Sequence, residues 1–260
     1  MKRILITGGS GYIGSELSYK LKDVYSITSI SRSDVDLEDS AEVNNWFKKK
    51  FFDVVIHTAI KGGNRLEEDT SSVMDSNLKM YYNLLNNRSS FDTFINLGSG
   101  AELYQAHKPY GLSKQVIRKS LLEKVNFYNL RIFAIFNENE LDQRFIKNNI
   151  KRYIRKEPLQ IHSNKLMDFF YFDDFVEILK YVIDSRPLQK EFNCTYKNKI
   201  TLTDIADIIN RLDCYTVLTE ISETSLQQPY TGDFNLPENL LLTGLEQGIK
   251  NVFNIINEIN

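Results

Sequence analysis

Tyr110 and Lys114 lie four residues apart in the segment PYGLSK, a spacing that places both side chains on one face of a helix. An ammonium group beside a phenol lowers the pKa of the phenol, so the tyrosine can donate or accept a proton near neutral pH. The same spacing is common on ordinary helix surfaces. The pair therefore predicts proton-transfer chemistry only if the rest of the chain supplies a site for it.

A glycine-rich turn, TGGSGYIG at 7–14, separates the first apolar run from a segment with helical spacing. In this position Gly8 permits a tight turn, Gly11 lets the backbone approach a pyrophosphate, and Gly14 allows the helix to pack closely on the strand. The helix N-terminus presents free N–H groups and the positive end of its dipole to the anion. The turn therefore predicts a dinucleotide site rather than a glycine turn without a ligand. Its expected contacts are Gly8, Ser10, Gly11, Tyr12, Ile13 and Gly14.

Arg32 indicates which dinucleotide is bound. Folds of this kind usually carry an acidic residue after the second strand, which binds the ribose 2′-hydroxyl, whereas this chain has SRS at 31–33. An arginine accommodates a 2′-phosphate and can stack on adenine. NADP is therefore the expected cofactor, and NAD is the alternative if Arg32 is simply solvated. The contacts expected on this side are Ser31, Arg32, Asp36 and Leu37, with Asp36 placed to accept from the adenine amino group.

Apolar runs alternate with segments of helical spacing through the first half of the chain. Strands are predicted at 3–7, 24–31, 52–57, 91–97 and 125–136, and helices at 13–21, 40–49, 71–85 and 110–123. Strands that alternate with helices pair in parallel through right-handed crossovers. The predicted fold class is α/β, a Rossmann-type doubly wound parallel sheet.

The alternation changes beyond residue 137, which predicts a smaller C-terminal substrate-binding region. Helices are expected at 144–155, 173–183, 201–212 and 241–259, with a short strand at 159–162. We expect residues 1–136 to form the cofactor-binding domain, with 168–185 returning to it. Residues 137–260 then form the smaller region.

Composition excludes several classes of protein. The chain has 260 residues, of which 42% are hydrophobic and 25% charged, and this balance is that of a globular protein. A net charge of −2 offers no basic excess for nucleic acid. The apolar runs are far shorter than the ~20 residues that span a bilayer. We expect a cytoplasmic protein with no signal peptide, no membrane or nucleic-acid partner and no bound metal, since Cys194 and Cys214 lack metal-ligand spacing.

The glycine turn and the Tyr–Lys pair together resemble the extended short-chain dehydrogenase/reductase family of nucleotide-sugar epimerases, dehydratases and reductases. Residues 4–17 look like the opening TGxxGxxG element of that family, and DFFYFDD at 168–174 is similar to its RDFxYVDD segment. Residues 31–40 are similar to the same stretch of the NADPH-dependent GDP-fucose synthases. The resemblance implies six more cofactor contacts: Thr58, Ala59, Ile60, Asn77, Tyr110 and Lys114.

The resemblance also implies a third catalytic residue, a serine or threonine that follows the strand at 91–97. Aligned back from Tyr104, Gly100 takes that position, whereas aligned forward from Leu97 it is Ser99. We take Ser99 as the catalytic hydroxyl. The alternative is a serine that bonds only the backbone of the turn.

Several positions differ from the family pattern. Glu102 falls where the sugar 4,6-dehydratases carry a catalytic base, but Ala101 stands where they have an aspartate or serine, so Glu102 is either a base or a solvated loop carboxylate. Ala134 and Met167 replace an asparagine and an arginine that touch the nucleotide-sugar in the family. Other cations are then candidates for the diphosphate, unless they form a solvated helix face: Arg144, Lys147, Arg152 and Arg155.

These features predict an NADP-dependent reductase of the 4-keto group of a nucleotide-activated (deoxy)sugar, in the synthesis of surface polysaccharide or glycan precursors. Tyr110 would protonate the developing alkoxide, Lys114 would lower the pKa of Tyr110, and Ser99 would hydrogen-bond the oxygen. One alternative is an epimerase or 4,6-dehydratase with retained NAD(P), and another is a non-catalytic NADP-binding protein. The resemblance further implies a homodimer through the helices at 71–85 and 110–123.

Overall fold

The computed structural model describes residues 1–63, 69–223 and 225–259. The strands of these residues are β1 (Arg3–Thr7), β2 (Ser26–Ile30), β3 (Phe52–His57), β4 (Phe91–Ser99), β5 (Phe127–Ile132), β6 (Ile135–Phe136), β7 (Leu159–Ser163), β8 (Phe170–Tyr171), β9 (Glu191–Cys194) and β10 (Thr219–Glu223). The helices are α1 (Tyr12–Leu21), α2 (Ser40–Phe47), α3 (Ser71–Asn86), α4 (Ala101–Tyr104), α5 (Pro109–Leu122), α6 (Phe145–Ile154), α7 (Phe172–Ser185), α8 (Leu202–Ile209) and α9 (Leu245–Ile259), with a 3₁₀ turn at Arg88–Ser90.

The main sheet places β1 beside β3. Within the described ranges this sheet has six strands in the order β2-β1-β3-β4-β5-β9, and β1 pairs in parallel with both β2 and β3. The order therefore reverses between β1 and β3, and ligands of open α/β sheets bind beyond the carboxyl ends of the strands at such a switch point. The predicted Rossmann-type α/β fold is confirmed.

The residue types of the strands explain their places in the sheet. Residues 4–6 of β1 and 54–56 of β3 are all apolar and fully buried, as in a parallel sheet covered by helices on both faces. The sequence of β2 is SITSI, and most of its residues are exposed or partly exposed. Such a polar strand suits the edge position that it occupies.

The apolar run predicted as one strand at 125–136 is divided in the structure, and that prediction is wrong. Asn126 adopts a left-handed conformation (φ 59°), β5 ends at Ile132, and β6 pairs with β8 in a separate two-stranded sheet. A strand-like pattern of residues cannot show that the chain changes its partner strand. The short elements β8, β9, β10 and α4 were likewise not predicted.

The chain divides into two compact units. The first comprises Met1–Arg131 and Leu179–Phe192, and the second comprises Ile132–Ile178 and Asn193–Asn260. The first division falls at Arg131 rather than at residue 136, because β6 pairs with β8 of the second unit. The second unit has its own apolar core, to which α6, α8 and α9 contribute. No helix among the described residues is long and apolar enough to cross a membrane.

Candidate active site

The glycine turn after β1 has the geometry of an anion cradle. Gly8 has φ 71°, and a Cβ atom there would lie 2.7 Å from the Ala59 nitrogen. A Cβ at Gly14 would lie 2.3 Å from the Gly8 carbonyl oxygen. Gly11 is the N-cap of α1 and supplies no side-chain cap, so the backbone N–H groups of this helix end remain suited to a pyrophosphate. Ser10 is exposed beside them, and Tyr12 and Ile13 are partly buried in the first turn of α1.

Gly9 is a further requirement of this turn that the motif did not single out. Its N–H donates to the Ile30 carbonyl at 2.8 Å, and a Cβ atom at Gly9 would lie 2.0 Å from Ser29 Oγ. Gly9 therefore lets the turn contact the end of β2. This close approach of Gly9 to Ser29 depends on where β2 lies, so the sequence of the turn alone does not reveal it.

Hydrogen bonds join the ends of β1 and β3 at the switch point. Thr58 Oγ1 donates to the Thr7 carbonyl at 2.6 Å, and the Ala59 N–H donates to Thr7 Oγ1 at 3.3 Å. The Thr7 hydroxyl also lies 2.9 Å from His57 Nδ1. Burial, aided by the charge of Lys114, lowers the pKa of His57 to about 3, so the imidazole is neutral. Thr58 and Ala59 thus lie against the glycine turn as predicted for cofactor contacts, and Ile60 next to them is exposed.

The loop after β2 brings Arg32 to the surface among carboxylates. Arg32 Nη2 pairs with Glu38 Oε1 at 2.5 Å, and its Nε lies 3.6 Å from Asp36 Oδ2. The Ser31 N–H and hydroxyl both donate to Asp34, and these bonds lower the pKa of that carboxyl. Arg32 is therefore exposed at the position predicted for 2′-phosphate recognition, but it is already engaged.

Leu37 and Asn77, two predicted cofactor contacts, point into the protein. Leu37 belongs to the buried apolar cluster of the first unit. The fully buried amide of Asn77 accepts from the Lys61 N–H at 2.9 Å and donates to the Lys61 carbonyl and to Ser113 Oγ, both at 3.1 Å. Asn77 therefore fixes the loop after β3 to α5.

Lys114 is the buried member of the Tyr110–Lys114 pair. It is 5% exposed, its Nζ donates to the Leu97 carbonyl at 2.5 Å, and the same nitrogen lies 5.8 Å from the centroid of the Tyr110 ring. Burial lowers the pKa of Lys114 to about 8, although the charge of Glu102 acts in the opposite direction. The structure confirms that α5 brings Tyr110 and Lys114 together on one face.

Ser99 is the last residue of β4. Its hydroxyl accepts from the Ala101 N–H at 3.2 Å, which leaves its own hydrogen for an acceptor such as a substrate oxygen. Gly100, which takes the serine position in the alternative alignment, is the N-cap of α4 and has no side chain that could bind the substrate. Ser99 is thus the available hydroxyl at the predicted position.

Glu102 is buried, so the expectation of a solvated loop carboxylate is wrong. It is 1% exposed and its carboxylate points towards β5. It accepts from Arg131 Nε at 3.1 Å and from the Ser99 N–H at 2.9 Å. Burial raises the pKa of Glu102, while Arg131 and the bond from Ser99 act to lower it. The buried carboxylate thus provides a counter-charge for the Arg131 guanidinium.

Three of the four cations proposed for the diphosphate have partners on their own segment. Lys147 pairs with Asp142 at 3.0 Å. Arg152 and Arg155 both pair with Glu157, at 3.4 and 3.2 Å. Arg144 forms no ion pair in the described part of the chain and is exposed at the N-cap of α6.

Asp168 and Asp174 are the buried aspartates of the DFFYFDD segment. Both accept hydrogen bonds from donors of the second unit. Asp168 pairs with Lys199 at 2.9 Å and accepts from the Gly232 N–H at 2.8 Å. Asp174 accepts from the Thr243 and Gly244 N–H groups at 2.6 and 2.9 Å. The segment therefore organises the second unit.

Known proteins are similar to this chain in sequence or in fold. The chain is 28% identical to the CDP-abequose synthase of Yersinia pseudotuberculosis over 208 residues, which are 70% of this chain and 74% of the synthase. The UDP-glucose 4-epimerase of Thermotoga maritima has a similar structure, with a TM-score of 0.80, 17% identity and 99% of each chain covered. A GDP-mannoheptose C4 reductase from Campylobacter jejuni, solved with NADP bound, has a TM-score of 0.74 at 15% identity, with 97% of each chain covered.

A Rossmann-type sheet, an uncapped glycine turn at its switch point and a helical Tyr–Lys pair define an NAD(P)-dependent enzyme of the extended short-chain dehydrogenase/reductase type. The model of the NAD dependent epimerase/dehydratase family matches residues 4–195, and the chain belongs to this family. The resemblance predicted from the sequence is confirmed, and with it the assignment as a nucleotide-sugar-modifying enzyme.

Proposed function

We propose that this enzyme reduces the 4-keto group of a nucleotide-activated deoxysugar, with NADPH as the preferred cofactor. The observation that carries the proposal is the state of Glu102, which is buried and bound to Arg131 while the Tyr110–Lys114 pair is intact. A 4,6-dehydratase needs a base that removes a proton beside the keto group, and a buried carboxylate held by Arg131 and Asn129 is not available for that role. A keto reductase needs only a proton donor and a hydrogen bond at the carbonyl oxygen.

Each residue then has one role in the reaction. Tyr110 donates its phenolic proton to the carbonyl oxygen, which becomes a hydroxyl. Lys114, protonated and close to the ring, stabilises the phenolate that remains, and Ser99 donates a hydrogen bond to the same oxygen. NADPH, when bound, supplies the hydride that reaches the carbonyl carbon.

The relatives support this proposal to different degrees. A synthase and a C4 reductase are among the proteins that the chain resembles, and so is a 4-epimerase. An epimerase that retains its cofactor uses the same Tyr–Lys pair, so the fold alone does not separate the two reactions. Net consumption of NADPH does separate them.

The test is an absorbance assay at 340 nm with purified enzyme, NADPH and 4-keto-6-deoxy sugars carried on CDP, GDP, UDP or dTDP. We expect stoichiometric oxidation of NADPH with at least one of them, and a product with a new 4-hydroxyl by NMR. Interconversion of 4-epimers of an intact nucleotide-hexose without NADPH loss would replace the proposal with an epimerase. Binding of NADPH without turnover of any nucleotide-sugar would favour a non-catalytic protein.

A further inference from the structure

Glu38 is the centre of a charged cluster beside the cofactor turn. Its Oε1 lies 2.5 Å from Arg32 Nη2 and 2.6 Å from Lys61 Nζ. Its Oε2 accepts from Ser76 Oγ at 2.7 Å, and Lys61 Nζ donates to the same hydroxyl at 3.1 Å. One carboxylate thus binds two cations from different loops.

The cluster connects three elements of the first unit. Arg32 and Glu38 belong to the loop after β2, Lys61 to the loop after β3, and Ser76 to α3. Asn77 holds the Lys61 backbone through two hydrogen bonds, so this part of the loop is fixed. The Glu38 side chain is 20% exposed, against 63% for Arg32 and 41% for Lys61. The anion therefore lies beneath two solvent-facing cations.

The surroundings of Glu38 keep it charged. Burial acts to raise its pKa, but the hydrogen bonds from Lys61 and Ser76 and the charges of Lys61 and Arg32 hold that pKa below its ordinary value. At neutral pH the carboxylate cancels one of the two positive charges. It also occupies guanidinium donors that a phosphate would use.

We propose that Glu38 is a specificity-determining residue of the cofactor site, which competes with the 2′-phosphate of NADP(H) for Arg32 and Lys61. The carboxylate thereby limits the preference for NADP(H) over NAD(H). This inference rests on the proposed function in one respect, namely that Arg32 faces the 2′-phosphate. It adds Lys61 as the second cation of that subsite and Glu38 as its internal competitor.

The experiment measures binding of 2′,5′-ADP and 5′-AMP by calorimetry, because these two probes differ only in the 2′-phosphate. Glu38→Gln removes the charge and keeps an oxygen acceptor for Ser76. We expect 2′,5′-ADP to bind about three- to tenfold tighter to the variant, the effect of one partly screened charge, while 5′-AMP binding stays unchanged. Glu123→Gln is the matched control, because it removes one exposed carboxylate at the C-cap of α5, away from the loop after β2.

Two more variants separate the possible failures. Lys61→Gln should weaken 2′,5′-ADP binding several-fold, opposite in sign to Glu38→Gln. Arg32→Ala should remove most of the difference between the two probes. If the wild-type enzyme binds the two probes equally, the NADPH preference of the proposed function is wrong. If wild type distinguishes them and Arg32→Ala leaves that difference intact, Arg32 does not bind the 2′-phosphate, and the inference is overturned. If Arg32→Ala removes it but Glu38→Gln binds 2′,5′-ADP equally or more weakly than wild type, Glu38 positions Arg32 instead of competing for it, and the inference is overturned.

Discussion

The backbone of Gly63 lies against the ring of Tyr110. A Cβ atom at Gly63 would be 2.7 Å from Cζ and 2.8 Å from Cε2 of that ring, and Gly63 has φ 73°, which favours glycine. The loop after β3 therefore contacts the residue that we propose as the proton donor. The absence of a side chain at Gly63 lets the phenol keep its place.

Gly63→Ala should displace the Tyr110 ring or the loop and reduce turnover by at least tenfold, with NADPH binding retained. Steady-state turnover and calorimetric titration of NADPH measure the two effects. Gly244→Ala is the control, because Gly244 also has a positive φ (86°) but no atom lies within 4 Å of its added Cβ. Equal losses of turnover in both variants would show that backbone strain, and not contact with Tyr110, is responsible.

Tyr110→Phe should lower turnover by roughly 10²–10⁴-fold, the usual contribution of a positioned acid, without changing the far-UV spectrum or cofactor affinity. The exposed Tyr82 of α3 provides the control variant Tyr82→Phe. Near-normal turnover of Tyr110→Phe on the true substrate would remove Tyr110 from the mechanism.

The activity should fall as the pH rises through about 8, because Lys114 then loses the proton that stabilises the phenolate. The measurement is turnover at saturating substrate and cofactor between pH 6 and 10. Lys114→Met should have low turnover without this alkaline limb. The limb should persist in Lys119→Met, which changes an exposed lysine of the same helix.

Glu102→Gln should destabilise the fold by about 3 kcal/mol, because it leaves the buried Arg131 guanidinium with a neutral neighbour. Arg131 keeps its contact with Glu191 at 2.9 Å, so the variant should still fold. Urea unfolding gives the stability, and turnover per folded molecule should remain within about tenfold of wild type. A loss of activity without a loss of stability would instead identify Glu102 as a chemical participant.

Ser99→Ala should slow turnover by about 10–10³-fold, up to the effect of losing one oxyanion donor. Stopped-flow measurement of NADPH oxidation tests the chemical step directly. Ser89→Ala, at an exposed position in the 3₁₀ turn, is the control. Wild-type rates for Ser99→Ala would leave the hydroxyl with the structural role that its bond from Ala101 already shows.

Local spacing was sufficient to predict the glycine turn and the Tyr110–Lys114 pair, because each lies within one turn or one helix. The direction of Glu102 was not predictable, since its partners Asn129 and Arg131 come from a strand almost thirty residues later. The Glu38–Lys61 contact likewise joins two loops that meet only when β1 lies between β2 and β3. Contacts between distant segments depend on the order of the strands in the sheet. Residue types predict the fold class but not this order.

The inward position of Glu102 also restricts how this chain could evolve. Ala101→Asp would supply the acidic neighbour found in dehydratases, but Glu102 would remain buried and bound to Arg131 and Asn129. Releasing Glu102 first would leave the Asn129 amide buried without its acceptor and Arg131 with Glu191 alone, which costs stability before any new chemistry is gained. The first change alone gives no new chemistry, and the second alone lowers the stability of the fold. A lineage that passes from reduction to dehydration must therefore change β5 and the segment after β4 together, and the need for simultaneous substitutions limits the transition.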